Sequence, residues 1–326
     1  MVTVGVVSWN SAAVLHPCLQ SVRRQTWSSL ELLVLDNASD DASRGILEAA
    51  TRPAERIYSD SNTGFAGGHN TLIRRARGEY YLALNPDVAL DPSFISVLVS
   101  ALDEAPRVGA ASGKLLRLDD PTILDSTGIV MLPSQRHLDR GAGQPDKGQY
   151  ERIERIFGAS GAAAFYRRSM LEDIREGDEY FDEAFFAYRE DADLAWRARM
   201  RGWECLYVPK AIAKHGRRVT PERRGLLDAT TNRASVRNRF LLRIKNQPIG
   251  QALAFLGPMT LRDLQVIGYV TLREWTSLPA FLDLLRLLPA MLIKRREIMR
   301  RRQVTTTDLI QWFREESRPW PEIKSA

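Results

Sequence analysis

The chain has 326 residues, 44% hydrophobic and 26% charged, with a formal net charge of +6 at pH 7. That length and apolar content exclude a disordered chain and suit one large domain, or one domain with an appendage. Two cysteines, Cys18 and Cys205, with no CxxC pair exclude a disulfide framework and point to buried thiols of a reducing compartment, so a cytoplasmic location is expected.

The opening MVTVGVVSWN enters a strand pattern at once, without the charged and apolar regions of a leader. VTVGVVSW (2–9) predicts a first strand. Residues 12–25 follow as an amphipathic helix with Val14, Leu15, Leu19 and Val22 on one side, and ELLVLDN (31–37) as a second strand. Next come a helix through Ile46 and Leu47, a short strand at 55–59, a helix from Gly68 to Arg77 and the strand EYYLALN (79–85). This alternation predicts an α/β domain around a mainly parallel sheet, with ligands beyond the carboxyl ends of the strands. Ser8, Trp9 and Asn10 follow the first strand, Asp36, Asn37, Ser39 and Asp40 the second, and Asn85 and Asp87 the last.

Residues 133–150, rich in Pro, Gly and charge, predict a long mobile loop. GASGAAAFYRRSML (158–171) reads as a small-residue strand leading into a helix, residues 181–201 as a helix ending near Gly202, and WECLYVP (203–209) as a closing strand. From about residue 235 the character changes: segments 249–258, 261–272 and 278–293 are apolar, broken by Pro258, Pro279 and Pro289 and studded with Arg. No uncharged run reaches the roughly 20 residues that span a bilayer. Residues 216–326 carry 21 Lys and Arg against 10 Asp and Glu, a net +11, while residues 1–215 carry 25 against 30. A basic tail of this kind suits nucleic acid, an anionic membrane face or plain solvation. Trp275, Trp312 and Trp320 in this tail suit a membrane interface, whereas Trp203 suits a core.

ALNPDVALDP (83–92) ends a strand on an amide, a proline and a carboxylate. It reads either as a strand-to-helix turn or as a carboxylate placed to grip a metal and a diphosphate. SNTGFAGGHN (61–70) is either a Gly-rich turn or a close approach to a ribose or phosphate, with Asn62 and Asn70 as donors. It fits neither GxGxxG nor GxxxxGK[ST], which excludes those two nucleotide fingerprints. FDEAFFAYREDADLAWRARMRGW (181–203) sets Glu190, Asp191 and Asp193 at a helix N-terminus, where acidic groups suit the helix dipole. Four aromatics precede them, and a carboxylate beside rings gains the proton affinity that a general base needs. His215, in KHGRR (214–218), is a candidate for metal or phosphate contact. His16, His69 and His137 share no ligand spacing and read as structural.

Taken together, VSWN (7–10), VLDNASDD (34–41), NTGFAGGHN (62–70), LNPDV (84–88), GASGAAAFYRRS (158–169) and FFAYREDADLAWRARMRGW (185–203) resemble the family-2 inverting glycosyltransferases of GT-A fold. Among these the chain is most similar to bacterial rhamnosyltransferases that use dTDP-L-rhamnose. The resemblance covers residues 1–218 and implies a nucleotide-binding half (1–110), an acceptor-binding half (111–218) and a basic, amphipathic helical region over 219–326. It implies that Asn85-Pro86-Asp87 stands at the family's DxD-type motif. Asp87, with His215, would then ligate Mg²⁺ or Mn²⁺ on the donor diphosphate, Asn85 replacing the first carboxylate.

Ser8, Asn10 and Asp36 would cradle base and ribose, with Asn62, Gly64 and Asn70 nearer the ribose and sugar. Asp191 would be the base, Glu190 would orient that region, and Gly158, Ser160 and Gly161 would line the acceptor groove. The implied reaction moves L-rhamnose onto a glycan or polyprenyl-diphosphate-linked acceptor in cell-surface polysaccharide synthesis, at the inner face of the membrane, with an oligomer allowed and no nucleic acid. The alternatives are a UDP-sugar donor, an inactive interaction module on a transferase fold, and nucleic-acid binding through the basic tail.

Overall fold

The structure is a computed structural model that describes residues 1–217 and 229–320. The boundary expected at 218/219, and Arg218 of the KHGRR run, lie outside the described residues. The first half alternates as the apolar periodicity requires: β1 (Val2–Ser8), α1 (Ala12–Arg23), β2 (Leu30–Asp36), α2 (Ser43–Ala50), β3 (Arg56–Tyr58), α3 (Gly64–Arg75) and β4 (Tyr80–Leu84). After Asn85-Pro86-Asp87 come β5 (Val88–Leu90), α4 (Phe94–Asp103), β6 (Val108–Arg117), β7 (Leu124–Ser126), β8 (Ile129–Met131), β9 (His137–Asp139), β10 (Glu154–Ile156), β11 (Ala163–Arg167) and α5 (Arg168–Ile174). The remainder is α6 (Glu190–Met200), β12 (Glu204–His215), α7 (Ala229–Asn246), α8 (Ile249–Ala254), α9 (Leu256–Leu272), α10 (Pro279–Arg301), α11 (Thr306–Trp312) and β13 (Ser317–Pro319).

An 11-stranded sheet runs β13-β10-β12-β6-β11-β4-β1-β2-β3, with β5 on β12 and β7 on β6. The strands β3-β2-β1-β4 are parallel, as the alternation predicts, and β1 pairs with β2 in register from Val2/Leu30 to Ser8/Asp36. Beyond them the sheet is mixed, because β11 runs antiparallel between β4 and β6 while β12 is parallel to β6. Both faces are covered. One apolar cluster holds Val2, Val4, Leu82, Phe94 and Leu98; a second holds Leu33, Leu72, Tyr166 and Tyr207.

Four expectations are corrected. The glycine-rich run is no loop before α3 but its first two turns: a Cβ on Gly68 would lie 2.7 Å from Val7, so glycine lets the helix close onto β1. Residues 181–189 do not belong to α6, because Phe186, Tyr188 and Arg189 all have positive φ (63°, 70° and 74°), which an α-helix cannot contain. β12 does not end at Pro209 but passes it with a bulge between Val208 and Ile212 and continues to His215. Residues 133–150 are fixed by the β8–β9 hairpin and by turn hydrogen bonds such as Gly143 N–H to Leu124 O (2.9 Å).

The C-terminal region is built into the molecule. β13 extends the sheet through β10, and Leu241, Leu309 and Phe313 share a core with Phe157 and Trp196. Trp312 is buried there and Trp320 packs against the first cluster, which removes both from the expected membrane interface. Trp203 is partly buried and donates its indole N–H to Asp173 (2.8 Å). Among the described residues one helix, Trp275–Arg301, is by length and composition apolar enough to cross a membrane, where the sequence predicts none.

Candidate active site

At the carboxyl ends of β1 and β2, Ser8 and Asp36 stand side by side and are buried. Ser8 Oγ and Asp36 Oδ1 have no hydrogen-bond partner among the described residues. Buried polar atoms left open in this way suit the polar edge of a ligand. Asn10 adopts a left-handed conformation (φ 47°) in which its Oδ1 accepts the Asp40 N–H at 3.0 Å.

Asn62 Oδ1 is taken by the Asn37 amide (3.0 Å) and the Gly64 N–H (2.8 Å). Gly64 itself needs glycine: its φ is 71°, and a Cβ there would sit 2.3 Å from Phe186 O. Asn70 corrects an expectation. It is fully buried, its Oδ1 accepts the Tyr180 and Phe181 N–H groups, and its Nδ2 donates to Phe181 O and Glu183, so it braces the 180–183 segment and faces no sugar.

A cleft of about 1340 Å³ opens across the other strand ends, and Asp87 and Asp191 both line it, with Asn85, Ser160, Gly161, Glu190 and His215. At its floor the chain does turn after β4, with Val88 N–H to Asn85 O at 3.2 Å, but it turns into β5 and not directly into a helix, and it carries Asp87 to the cleft. β5 then pairs with the end of β12, placing His215 opposite Val88. His215 Nε2 lies 3.3 Å from Asp87 Oδ1, and its Nδ1 lies 2.7 Å from Asp125 Oδ2. Arg217 closes the row on Asp125 (2.8 Å) and Asp139. Burial alone would lower the imidazole's proton affinity, but hydrogen bonds to Asp125 and Asp87 win and raise its pKa to about 9.

At the far wall the N-terminus of α6 presents Asp191. Its Oδ2 accepts the Gly161 N–H at 3.0 Å, and its Oδ1 lies 3.8 Å from His137 Nε2. His137 was read as structural, yet it lines the cleft, and burial holds its pKa below the ordinary value despite Asp191. The carboxyl driven upward is that of Glu190, by burial and then by Asp191 and Asp193, which favours its neutral form. Gly158 does not line the cleft. A Cβ there would meet the Ala195 Cβ at 2.4 Å, so its smallness serves the packing of α6.

Asp193 also departs from the expected acidic group. It is fully buried and holds Lys245 (2.9 Å) and Arg197 (2.9 Å). Glu176, Asp182 and Asp193 lie close enough for a metal, but the Lys245 ammonium already sits among them at 2.5–2.9 Å and supplies the cation. His69 is structural as expected, its Nδ1 2.8 Å from the Tyr81 hydroxyl.

Residues 3–175 match the family described as glycosyl transferase family 2, which is more than half of the chain. The chain belongs to that family. It is 25% identical over 198 residues to the putative glycosyltransferase EpsH of Bacillus subtilis, covering 58% of this chain and 55% of that one. It is 27% identical over 128 residues to the putative teichuronic acid biosynthesis glycosyltransferase TuaG of the same organism, covering 38% and 51%. The chain thus spans about half the length of each.

Among solved structures, S. aureus TarS superposes with a TM-score of 0.57 at 16% identity, over 92% of this chain and 53% of that one. GalNAc-T7, solved with UDP, GalNAc and Mn²⁺, gives 0.59 at 12% identity over 75% and 48%. These likenesses establish the GT-A fold. In this family-2 chain the residues that sequence reasoning missed are His137, Asp125 and Arg217. Asp125 stands in a stretch with no motif, and only the pairing of β7 and β12 with opposite edges of β6 brings it to His215.

Proposed function

We propose that the protein is an inverting glycosyltransferase that moves a sugar from a nucleotide-diphosphate donor to a hydroxyl of a glycan, with dTDP-L-rhamnose as the donor. What supports this most is one observation: Asp87, backed by His215, and Asp191 line the same cleft, in a chain whose family and fold are those of such enzymes. Ser8 and Asp36 would receive the base and ribose with the polar atoms they keep open.

The donor set at the floor fits a hard divalent ion. Asp87 offers a carboxylate, and the Asp125–His215 contact orients the ring so that Nε2 points at that carboxylate, the outer-shell arrangement common around metal-bound histidines. Asp87 and His215 would hold Mg²⁺ or Mn²⁺, which when bound offsets charge on the departing diphosphate. Asp191, held by the Gly161 N–H, takes the proton from the acceptor hydroxyl as its oxygen forms the bond to the anomeric carbon. The bond to the diphosphate breaks and its electron pair leaves with the nucleotide. Attack from the side opposite the leaving group inverts the configuration.

A thermal-shift panel of dTDP-, UDP- and GDP-sugars with Mn²⁺, followed by a transfer assay, tests the reading, because a ligand that binds the folded state raises its melting temperature. The expected outcome is a rise with dTDP-L-rhamnose and transfer from it. A rise with UDP-sugars alone would reassign the donor. No rise with any nucleotide sugar, and no hydrolysis, would make the chain an inactive module on a transferase fold.

A further inference from the structure

The helices α9 and α10 are built inside out. A surface helix of a globular protein turns its apolar stripe to the core and its polar face to water. Here α9 buries Val270 alone, while Leu261, Leu264 and Leu272 point outward; α10 buries Ala280, Met291 and Ile298 and turns Leu282, Leu285 and Ile293 outward. These six outward side chains are 58–82% exposed. On α10 the spacing Leu278, Leu282, Leu285, Pro289, Leu292 keeps to one side of the helix, so the exposure is a continuous stripe and not a scatter. A continuous exposed apolar surface of this kind marks an interaction site.

The inner side of α10 is committed to the protein. Asp283 receives Arg233 of α7, and Lys294 reaches Glu179 and Asp182, so the helix lies along the body of the molecule with its other side uncovered by the described residues. Three observations choose the occupant. Exposed arginines border the stripe, among them Arg273, Arg286 and Arg296, and the basic excess of the whole chain is concentrated in this region. Trp275 lies 71% exposed where α9 turns into α10, a placement that suits a headgroup layer. The same helix serves both surfaces, because α9 turns Arg262, Val266 and Tyr269 to the cleft wall while Leu264 and Leu272 face away.

We infer that the outer face of α9 and α10 docks on an anionic lipid surface, lying in the interface rather than across it, and that the cleft thereby receives a glycan acceptor carried on a lipid. Apolar burial and attraction of the bordering arginines to anionic headgroups act together. The second half of this inference rests on the transferase reading; the first half does not.

The test is flotation of the full chain with vesicles of phosphatidylcholine alone and of equimolar phosphatidylcholine and phosphatidylglycerol. Wild type is expected to float with the anionic vesicles. A variant combining L264S, L272S, L282S and L285S should lose at least about tenfold in partitioning. Arg286→Glu with Arg296→Glu should lose about tenfold on the anionic vesicles. All four leucines are exposed, so the serine variant keeps its fold, checked by an unchanged melting curve.

Wild type left behind by both vesicles, or a serine variant that floats like wild type, overturns the inference. So does a wild type that is dimeric by light scattering and becomes monomeric in the serine variant, which would give the face to a second copy. Nucleotide-sugar thermal shifts run on the same samples separate the two readings. Flotation without any donor shift keeps the lipid surface and removes the transferase; donor shift without flotation does the reverse.

Discussion

Asp191 is restrained on both oxygens, Oδ1 by the Ala192 N–H at 2.7 Å and Oδ2 by the Gly161 N–H at 3.0 Å. Two donors aimed at one carboxyl leave no place for a side-chain NH₂, so Asp191→Asn removes the proposed base and also sets an N–H against an N–H. Turnover should fall by about 10²–10⁴, the usual contribution of a general base, while the donor still shifts the melting temperature. Near-normal turnover in a steady-state assay would remove Asp191 from the role. At the other end of the cleft, Asp87→Ala deletes the carboxylate that faces His215 Nε2. The Mn²⁺-dependent part of donor affinity should then drop at least about tenfold. Titration calorimetry with and without Mn²⁺ reads this directly, and a wild type whose donor affinity ignores Mn²⁺ would defeat the assignment.

The segment that delivers Asp191 is strained, and α7 holds it. Phe186, Tyr188 and Arg189 all have positive φ, each costing roughly 1–3 kcal/mol unless the surroundings impose it. Asn238, fully buried on α7, donates its amide to Phe185 O (2.8 Å), Ala187 O (2.9 Å) and Tyr188 O (2.9 Å), and Arg237 reaches Ala184 O at 2.8 Å. Asn238→Ala frees those carbonyls and lets the start of α6 wander. Turnover should fall by up to about 10²-fold with donor affinity kept, since small misplacements near the chemistry cost that much. A variant with wild-type kcat and only a lower melting temperature would make Asn238 structural alone.

Such dependence was illegible in the sequence, because φ is not written in residue type and Phe, Tyr and Arg are poor indicators of a left-handed bend. What was legible came from periodicity and position. The parallel strands β1 to β4 followed from alternation, and the ends of β1, β2 and β4 were rightly singled out as polar. Asp125 escaped because its partner His215 is 90 residues away in sequence, and His137 because it sits on a short hairpin that no motif marks. Asn70 and Gly158 misled because small and amide residues serve tight packing as readily as they serve ligands.

At the scale of the whole molecule, one buried ion cluster joins the C-terminal helices to the GT-A body. Lys245, fully buried on α7, meets Asp182, Asp193 and Glu176, with Lys294 of α10 on Asp182 and Arg197 on Asp193. Burial would raise the acids, but Lys245 with Lys294 holds Asp182, and Lys245 with Arg197 holds Asp193, below the ordinary carboxylate range. A folded-state pKa below the unfolded one means that the stabilisation is complete above the unfolded value, about 4, and is lost as pH falls through the folded value. The wild type should therefore melt at falling temperatures on acidification below about pH 4.

Lys245→Met leaves buried carboxylates short of a cation and should cost about 3–5 kcal/mol at neutral pH. Its sign of pH dependence is opposite. Without the ammonium the acids take up protons more readily, and protonation removes the uncompensated charge, so the gap in melting temperature between variant and wild type should narrow as pH drops from 7 to about 4. A gap that stays constant across that range would mean that Lys245 stabilises by packing its stem alone, and the C-terminal helices would then be joined to the GT-A body by their apolar core without help from this cluster.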